Sequence, residues 1–582
     1  MNRMTNMVDG VGTTKYTYTA AGQLLTEDGP FASDTVTNVY SNRLRTGLGL
    51  QQPTGAWTNG FAYDSVKRLT NVTSPAGAFG YVYESGLFTH HPSLVTLPNT
   101  SYITNAFDAD ARLIATYLKN SGNTVLDSYV YIYNPANQRT NVARTDASTV
   151  AYKYDNIGQL KVADGSVSTE DRGYAYDSAW NTTWRTNNGT PAQFWVNSLN
   201  EMIGYSTFTN LYDANGNLTN AYGVKTMSYD DENRLILTSD EINHTYHTDF
   251  VYDGLGRLRK RSESTWSTGK TPHWVVASTV CYIYDGWRVI QERDGSNNPL
   301  VSYTRGNDLS GSMQGAGGIG GLLARSDGYS SGNFTNHGYY YSDGNGNITY
   351  LLDSSQSCAG GYRYDAFGNT VSTISGSLAT VNVYRFSSKE FHASSGLYYY
   401  GYRFYEPNLQ RWINRDPIHE FGFLKAKRKK SGWHPIHELN LYAFVRGQVT
   451  GKIDPFGLRD AGPLGGSCCN YSGHDEWWLN EDKWQRLAPN ECTGLFDDCD
   501  GLTCQGGFYW VGNLEGAGCN PAGHCPAFDA GPGSKIPGPP ADRRWTPSNP
   551  GPDSRPPGPY PGWTGPYRGA PNADPPPGYS WE

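Results

Sequence analysis

The 582-residue chain is poor in charged residues and in long apolar runs. Only 17% of its residues are charged, and its formal net charge is −8. No stretch approaches the roughly 18 consecutive apolar residues of a membrane-spanning helix, which excludes an integral membrane protein of that kind. The first residues, MNRMTN, lack the apolar segment of a secretory signal peptide. A mildly acidic balance gives no reason to expect nucleic acid as a partner.

Tyrosine and glycine are abundant, with 43 and 68 copies. Aromatic residues favour pleated strands and glycine favours turns, so the composition predicts a β-rich protein. A repeat of the form Tyr-x-Tyr-Asp-x-x-Gly-Asn/Arg/Gln-Leu recurs through the first three quarters of the chain. Clear copies contain Tyr152, Tyr212, Tyr229, Tyr252 and Tyr364, and weaker ones start at Tyr18, Tyr63, Phe107, Tyr133, Tyr176, Tyr284 and Tyr341.

Each repeat reads as one β-hairpin. Tyr152 and Tyr154 are two positions apart, so both rings lie on one face of a strand. Asp155 then opens a turn by accepting backbone N–H groups, and Gly158 supplies its positive φ. Leu160 begins the return strand. A single hairpin is marginally stable in water, so the units are expected to pair edge to edge. An ordinary β-sandwich is the alternative, and a dozen copies of one turn formula disfavour it.

This repeat resembles that of the Rhs/YD-repeat family, which includes bacterial Rhs proteins, the C subunit of insecticidal toxin complexes and the teneurin shell. The resemblance covers residues 1–458 and implies an all-β fold. In the family, a strip of β-hairpins spirals into a hollow shell, which in the toxin members encloses a C-terminal cargo. Residues 2–4 match the end of a unit whose Tyr-Asp would lie upstream, so we expect an N-terminally incomplete array. The sequence leaves open whether the shell closes or stays partial.

Residues 384–458 are the most specific stretch. They resemble the Rhs-repeat-associated core almost end to end and finish in its DPxGL signature, here DPFGL at residues 454–458. In the family, this core resembles an aspartic protease that cuts its own chain. The resemblance implies Asp416 and Asp454 as the paired carboxylates, Arg415 as a supporting cation, and a cut between Leu458 and Arg459.

The chemistry of such a site needs two carboxyl groups close together. Two carboxylates at short range cannot both ionise cheaply, so one keeps a proton while the other activates water. The alternative is that each Asp-Pro pair simply begins a turn, with the aspartate capping local N–H groups. Composition alone favours the turn, and the surrounding core motif favours self-cleavage.

The two aspartates are 38 positions apart, farther than is usual in the family. The tetrapeptide PIHE at residues 417–420 recurs at 435–438, a shift of 18 positions, which indicates an inserted and partly duplicated loop. Its basic segment, residues 425–430, is interpreted as a solvated loop rather than a nuclear-localisation or polyanion site. The insertion could displace Asp454 from Asp416.

No cofactor or metal is predicted. Residues 315–320, GAGGIG, match the dinucleotide fingerprint, but there is no room for the βαβ crossover that it needs. A glycine-rich bend packed against other backbone is the better interpretation. Pro435 prevents His434 and His437 from sharing a helical face, and a third ligand is not evident.

The sequence divides into four regions. Residues 1–383 hold the repeats, 384–458 the core, 459–525 a cysteine-rich segment and 526–582 a Pro/Gly-rich tail that is expected to be disordered or extended. Seven of the nine cysteines lie in the third region, which predicts a stapled domain if it is exported or a metal site if it is not. In the family this position holds a variable payload, and the alternative is an inert tail.

Three functional hypotheses follow. The leading one is a polymorphic toxin whose β-shell encloses a payload freed by self-cleavage, with an upstream shell-completing or secretion partner and an immunity protein. The second is a non-enzymatic adhesion protein that binds carbohydrate through aromatic hairpins. The third is an inactive truncated remnant. By family resemblance the protein is secreted or displayed at the cell surface, by a route that the sequence does not show.

Overall fold

The computed structural model describes residues 3–84, 91–417 and 440–458, together with the backbone of short strands after residue 468. The chain divides into two compact units, Met1–Pro463 and Leu464–Glu582. The described residues contain β-strands and three short 3-10 helices, at Ser168–Glu170, Phe386–Ser388 and Val445–Gly447. None of those helices has the length and apolar character to cross a membrane. The predicted all-β fold is confirmed.

Twenty strands form the first sheet, in which each strand pairs antiparallel with the next one along the chain. They are β1 (Asn6–Val8), β2 (Thr13–Tyr18), β3 (Leu24–Asp28), β4 (Val36–Ser41), β5 (Leu44–Gln51), β6 (Ala56–Tyr63), β7 (Leu69–Ser74), β8 (Gly77–Val82), β9 (Leu94–Thr96), β10 (Tyr102–Phe107), β11 (Leu113–Lys119), β12 (Val125–Tyr133), β13 (Arg139–Arg144), β14 (Thr149–Tyr154), β15 (Leu160–Gly165), β16 (Arg172–Tyr176), β17 (Thr182–Asn187), β18 (Thr190–Val196), β19 (Met202–Tyr205) and β20 (Phe208–Thr209).

Fourteen strands form the second sheet in the same sequential order. They are β21 (Leu211–Tyr212), β22 (Leu218–Ala221), β23 (Lys225–Tyr229), β24 (Leu235–Asp240), β25 (His247–Tyr252), β26 (Leu258–Ser267), β27 (His273–Asp285), β28 (Arg288–Asp294), β29 (Pro299–Arg305), β30 (Leu322–Ser330), β31 (Asn333–Ser342), β32 (Ile348–Leu352), β33 (Cys358–Tyr364) and β34 (Thr370–Ile374). Among the described strands, the first and last of each sheet have one partner each, so neither sheet closes.

A third sheet has four strands: β35 (Glu390–His392), β36 (Leu397–Tyr399), β37 (Phe404–Glu406) and β38 (Arg411–Trp412). The second unit has short strands, namely β39 (Cys469–Asn470), β40 (Glu476–Asn480), β41 (Lys483–Leu487), β42 (Gly501–Cys504), β43 (Phe508–Val511), β44 (Gly518–Cys519), β45 (Trp545–Pro547) and β46 (Tyr579–Trp581). Strands β40–β43 form a four-stranded sheet, and the others pair in twos.

The repeat turn is built by its aspartate. Asp155 Oδ1 accepts the N–H groups of Ile157 at 3.0 Å and Gln159 at 2.9 Å, and Gly158 has a φ of 89°. The hairpin ladder shifts register between Lys153 and Tyr154, directly before this turn. The aspartate therefore satisfies N–H groups that a tight turn would otherwise leave unpaired.

The second oxygen of the aspartate explains the residue that follows the glycine in the repeat. Asp213 Oδ2 accepts from the side-chain amide of Asn217 at 2.9 Å. In another unit, Asp253 Oδ2 accepts from Arg257 Nε at 2.8 Å. Either asparagine or arginine fits at this position, because the side chains of both can donate a hydrogen bond to the turn carboxylate.

The tyrosine before the aspartate joins one unit to the previous one. Tyr176 donates its hydroxyl hydrogen to the carbonyl of Leu160 at 2.8 Å, and Tyr252 donates to Leu235 at 2.6 Å. The same bond to the preceding return strand is made by Tyr229, Tyr284 and Tyr364, and also by Tyr40, Tyr83 and Tyr133, which precede a serine, a glutamate and an asparagine instead. Strand pairing and aromatic burial led us to expect stacked units, but not this hydroxyl bond.

The first two sheets share a hydrophobic core. Buried side chains from both sheets form one cluster, which includes Leu50, Trp57, Val72, Phe79, Leu118, Ile283, Leu323, Tyr341 and Leu352. Tyr341 of the second sheet donates to the carbonyl of Thr116 in the first at 2.9 Å. Another cluster joins Leu160 and Tyr174 of the first sheet to aromatic residues of the 384–458 region, and so anchors that region against the repeats.

Candidate active site

Three charged residues of the 384–458 region are buried together. Arg403 lies between β36 and β37, Asp416 follows β38, and Asp454 lies near the end of the region. Each is no more than 3% exposed. The guanidinium carbon of Arg403 lies 4.3 Å from the centre of the Trp412 ring, a cation–π contact that fixes the arginine within the aromatic cluster.

A single nitrogen atom contacts both carboxyl groups. Arg403 Nη2 lies 3.0 Å from Asp416 Oδ2 and 3.8 Å from Asp454 Oδ2. The arginine thus stabilises negative charge on Asp416 more than on Asp454, because Coulomb attraction weakens with distance. The structure brings together the two aspartates that the sequence identified.

Burial raises the pKa of Asp454 from 3.8 to about 7. The charges of Arg403 and the N–H groups of Leu458 and Gly457 oppose this rise, whereas the nearby carboxylate of Asp416 adds to it. A pKa of about 7 leaves Asp454 partly protonated near neutral pH. Such a pair can offer one acid and one base.

Asp454 also forms the turn that precedes the expected cut. Its Oδ1 accepts the N–H groups of Phe456 at 3.3 Å, Gly457 at 2.7 Å and Leu458 at 3.0 Å. Residues 454–458 are called the DPFGL turn below. The turn-capping role that was considered as an alternative is therefore present at Asp454, together with the proximity to Asp416. Arg459 lies outside the described residues.

The side chain of Arg415 contacts Glu201 and Tyr442. Its Nη2 lies 3.4 Å from Glu201 Oε1, and its Nε donates to the hydroxyl of Tyr442 at 3.2 Å. Arg415 therefore ties the core to the repeats. The cation between Asp416 and Asp454 is Arg403, which the sequence analysis missed. The sequence feature that could have identified Arg403 is its position as the one arginine within the aromatic segment YYYGYRFY, residues 398–405.

The described chain resumes beside the site at residue 440. Residues 418–439, with the basic run and His434 and His437, lie outside the described residues. Beyond them, the Leu441 carbonyl accepts from the backbone N–H of Asp416 at 3.1 Å and from Arg403 Nη1 at 2.9 Å. These two bonds hold the returning chain beside Asp416, so the long separation does not keep the carboxyl groups apart.

The glycine run at residues 315–320 lies between the antiparallel strands β29 and β30. Asp308 Oδ2 accepts from the N–H groups of Ala316 at 2.8 Å and Gly318 at 3.0 Å. A side chain at Gly317 would collide with the Pro455 carbonyl oxygen. The expected bend against other backbone is confirmed.

The described residues thus define an all-β protein of sequential hairpins with a buried pair of aspartates. No protein-family model matches the chain. The tRNA3(Ser)-specific nuclease WapA of Bacillus spizizenii is 24% identical over 392 residues, which are 62% of this chain and 14% of that protein. The double-stranded DNA deaminase toxin A of Burkholderia cenocepacia is 24% identical over 345 residues, 58% of this chain and 22% of that protein.

A solved structure has the same fold. The crystal structure of TcdB2-TccC3-TEV aligns with 78% of this chain and 24% of its own, with a TM-score of 0.56 and 18% identity. The chain spans less than a quarter of the length of these relatives. The matches therefore relate part of this chain to part of much longer proteins.

Proposed function

We propose that this chain is the shell and processing region of an Rhs-type polymorphic toxin, in which self-cleavage after Leu458 frees a C-terminal payload. The observation that carries this proposal is the shared contact of Asp416 and Asp454 with Arg403. Asp454 additionally bonds the backbone of Leu458, the last residue before the proposed cut. The region boundaries at 383, 458 and 525 belong to the same proposal.

The reaction is the hydrolysis of one peptide bond. Asp416 takes a proton from water, and the water oxygen attacks the carbonyl carbon of Leu458. The bond between that carbon and the nitrogen of Arg459 breaks, and the nitrogen receives a proton from Asp454. The products are a carboxyl group on Leu458 and a new amino terminus on Arg459, with one water consumed. Arg403 stabilises the ionised member of the pair throughout.

The relatives support a toxin role, since one is named a tRNA nuclease and another a DNA deaminase toxin. Residues 459–582 would be the payload, and their chemistry is not assigned because such activities differ between relatives. An immunity protein, an export partner and a secreted or cell-surface location belong to the same proposal.

Intact-mass analysis of protein purified at neutral pH tests self-cleavage. We expect wild-type chain to appear as two fragments, and Asp416→Asn and Asp454→Asn chains to remain whole. Asp213→Asn is the matched control, because it changes a repeat-turn aspartate far from the pair in sequence, and it should be cleaved like wild type. A whole wild-type chain would contradict the proposal and favour an inactive remnant.

Carbohydrate binding is a second candidate, favoured by two exposed tryptophans. Trp184 and Trp195 are 45% and 41% exposed and lie on the same face of the adjacent strands β17 and β18. Exposed aromatic rings can stack against apolar faces of ligands. Binding on a glycan array that Trp184→Ala and Trp195→Ala abolish would support this function, and silence of the wild-type chain would exclude it for the glycans tested.

A further inference from the structure

A buried lysine, Lys389, contacts the DPFGL turn but transfers no proton in the reaction described above. Lys389 lies directly before β35 and is 7% exposed. Its Nζ donates to the carbonyls of Pro455 at 2.5 Å and Gly317 at 3.0 Å. The faces of the Tyr400 and Phe456 rings lie 5.3 and 5.8 Å from the same nitrogen. This amine therefore bonds backbone carbonyls of two segments that are distant in sequence.

The backbone at Gly317, in the glycine run, lets the Pro455 carbonyl approach closely. Gly317 has a φ of 60°, a conformation that residues with a side chain rarely adopt. A Cβ there would meet the Pro455 carbonyl oxygen. The Pro455 carbonyl thus approaches Gly317 closely, and Lys389 lies where it bonds the carbonyls of both. The lysine and the glycine run together form one clamp on Pro455.

The carbonyls of the DPFGL turn are held one after another. Pro455 accepts from Lys389, Phe456 accepts from the backbone N–H of Tyr402 at 3.1 Å, and Gly457 accepts from Arg403 Nε. Asp454 meanwhile takes the N–H groups of residues 456–458. Both the N–H groups and the carbonyl groups of the backbone that leads to Leu458 are therefore held by hydrogen bonds.

We propose that Lys389 is a positioning residue for self-cleavage: by clamping the Pro455 carbonyl against Gly317, it holds the DPFGL turn so that the bond after Leu458 meets the paired carboxyl groups. This rests on the proposed function. Burying an ammonium group costs hydration free energy, which the two carbonyls, the aromatic faces and the nearby Asp454 carboxylate offset in part. A methionine of similar length would fill the same space but would leave the Pro455 and Gly317 carbonyls without this donor, so Lys389→Met removes the contact with the turn while it keeps the volume.

The charge of Lys389 also acts on its neighbour. Burial lowers the pKa of Lys389 from 10.5 to about 7, and the nearby carboxylate of Asp454 opposes that change. A protonated Lys389 in turn favours ionised Asp454. Removal of the lysine should therefore raise the pKa of Asp454. The fall in cleavage rate at alkaline pH, where Asp454 loses its proton, should then occur at higher pH.

The test follows cleavage of the full chain by intact mass after cell-free synthesis, over a range of pH. We expect Lys389→Met to cleave about 100-fold more slowly, because small displacements of a reacting group have effects of this size. Gly317→Ala should also slow the reaction. Lys389→Gln, which keeps one donor, should be intermediate and is the variant to use if Lys389→Met does not fold. Residual cleavage by Lys389→Met should have its alkaline limb at higher pH than wild type.

Lys225→Met is the matched control. Lys225 is another part-buried lysine, and its Nζ pairs with Glu406 Oε2 of the core at 2.5 Å. Cleavage by this variant should match wild type, with thermal unfolding measured in parallel. Wild-type rates in both Lys389 variants, or equal slowing in the Lys389 and Lys225 variants with no shift of the pH profile, would overturn the role of Lys389 alone. A wild-type chain that stays whole would overturn the proposed function as well.

Discussion

The turns of the repeat and the DPFGL turn use an aspartate in the same way. In a repeat turn, Asp213 Oδ1 accepts the N–H groups of Asn215 and Asn217, each at 2.9 Å. In the DPFGL turn, Asp454 Oδ1 accepts the N–H groups of residues 456–458. One oxygen of each carboxylate thus shapes the local backbone, as the residue type predicts.

The two turns differ in the contacts of the second carboxylate oxygen, Oδ2. In the repeat it returns to its own turn, where Asn217 donates to Asp213 Oδ2. In the core, Asp454 Oδ2 faces Arg403, whose guanidinium also bonds Asp416. A structural aspartate becomes a candidate catalytic one when burial and a second carboxylate act on it. The difference arises from tertiary placement, because one aspartate oxygen accepts local N–H groups in both turns.

The largest expected effect comes from removing Arg403, the cation that distinguishes the DPFGL turn from the repeat turns. Arg403→Met leaves two buried carboxyl groups without their shared partner and frees the Gly457 carbonyl. We expect cleavage to fall by about 100-fold or more and the unfolding free energy to fall by about 3–5 kcal/mol. Intact mass and urea unfolding measure the two effects.

Arg234→Met provides the comparison from the repeat. Arg234 Nε donates to Asp230 Oδ2 within a turn that is partly exposed. The variant should cleave at the wild-type rate and lose no more than about 1 kcal/mol. Cleavage by Arg403→Met at the wild-type rate would remove the distinction between the two turns.

A pH dependence follows from the raised pKa of Asp454. In the folded chain Asp454 binds a proton up to pH about 7, whereas in the unfolded chain it releases that proton near 3.8. Between these values the native state holds more protons, so the unfolding free energy should fall by a few kcal/mol as pH rises from 4 to 7. Comparison of whole-length Asp416→Asn with and without Asp454→Asn, by urea unfolding at several pH values, isolates this slope.

In the Asp416→Asn/Asp454→Asn double variant, the unfolding free energy should fall less steeply between pH 4 and pH 7, because the contribution of Asp454 is removed. The repeat variant Asp213→Asn in the same Asp416→Asn background serves as the control and should keep it. Equal slopes with and without Asp454→Asn would contradict the protonated state that is assigned to this residue.

A smaller effect is expected in the repeat itself. Asp213→Ala removes the acceptor for two backbone N–H groups of its turn. We expect a loss of about 1–2 kcal/mol in the unfolding free energy, with cleavage unchanged. Thermal or urea unfolding together with intact mass checks both parts. Loss of cleavage in this variant would show that the repeat turns also serve the reaction.

The smallest effect concerns the bond between units. Tyr252→Phe keeps the ring and removes the hydroxyl that bonds the Leu235 carbonyl at 2.6 Å. We expect a loss of about 1 kcal/mol and normal cleavage, because one buried hydrogen bond is removed and packing is kept. Unchanged stability in urea unfolding would mean that the hydroxyl does not hold the units together.

The fold could be predicted because its determinants are local. The spacing of Tyr154, Asp155 and Gly158 specifies a strand and its turn, and repetition of that pattern specifies sequential hairpins. The shared core of the two sheets was not predictable, since it depends on packing between residues more than 200 positions apart, such as Tyr341 and Thr116. Local spacing carries no information about such contacts.

The candidate site could be predicted in part. Asp416 and Asp454 were identified through the core motif, but Arg403 and Lys389 were not, because their importance lies in distant partners. Arg403 reaches Asp454 across 51 positions, and Lys389 reaches Pro455 across 66. Arg415 was taken from the family resemblance, which did not predict that its side chain contacts Glu201 and Tyr442.

The identity of the new amino terminus tests the central claim most directly. Wild-type chain, purified and handled at neutral pH, should yield a C-terminal fragment that begins at Arg459 when its N-terminal sequence is read. Asp-Pro bonds are sensitive to acid, so a fragment that begins at Pro417 or Pro455 would indicate chemical breakage instead. Fragments that begin only at Pro417 or Pro455, or no fragment at all, would contradict self-cleavage by the aspartate pair.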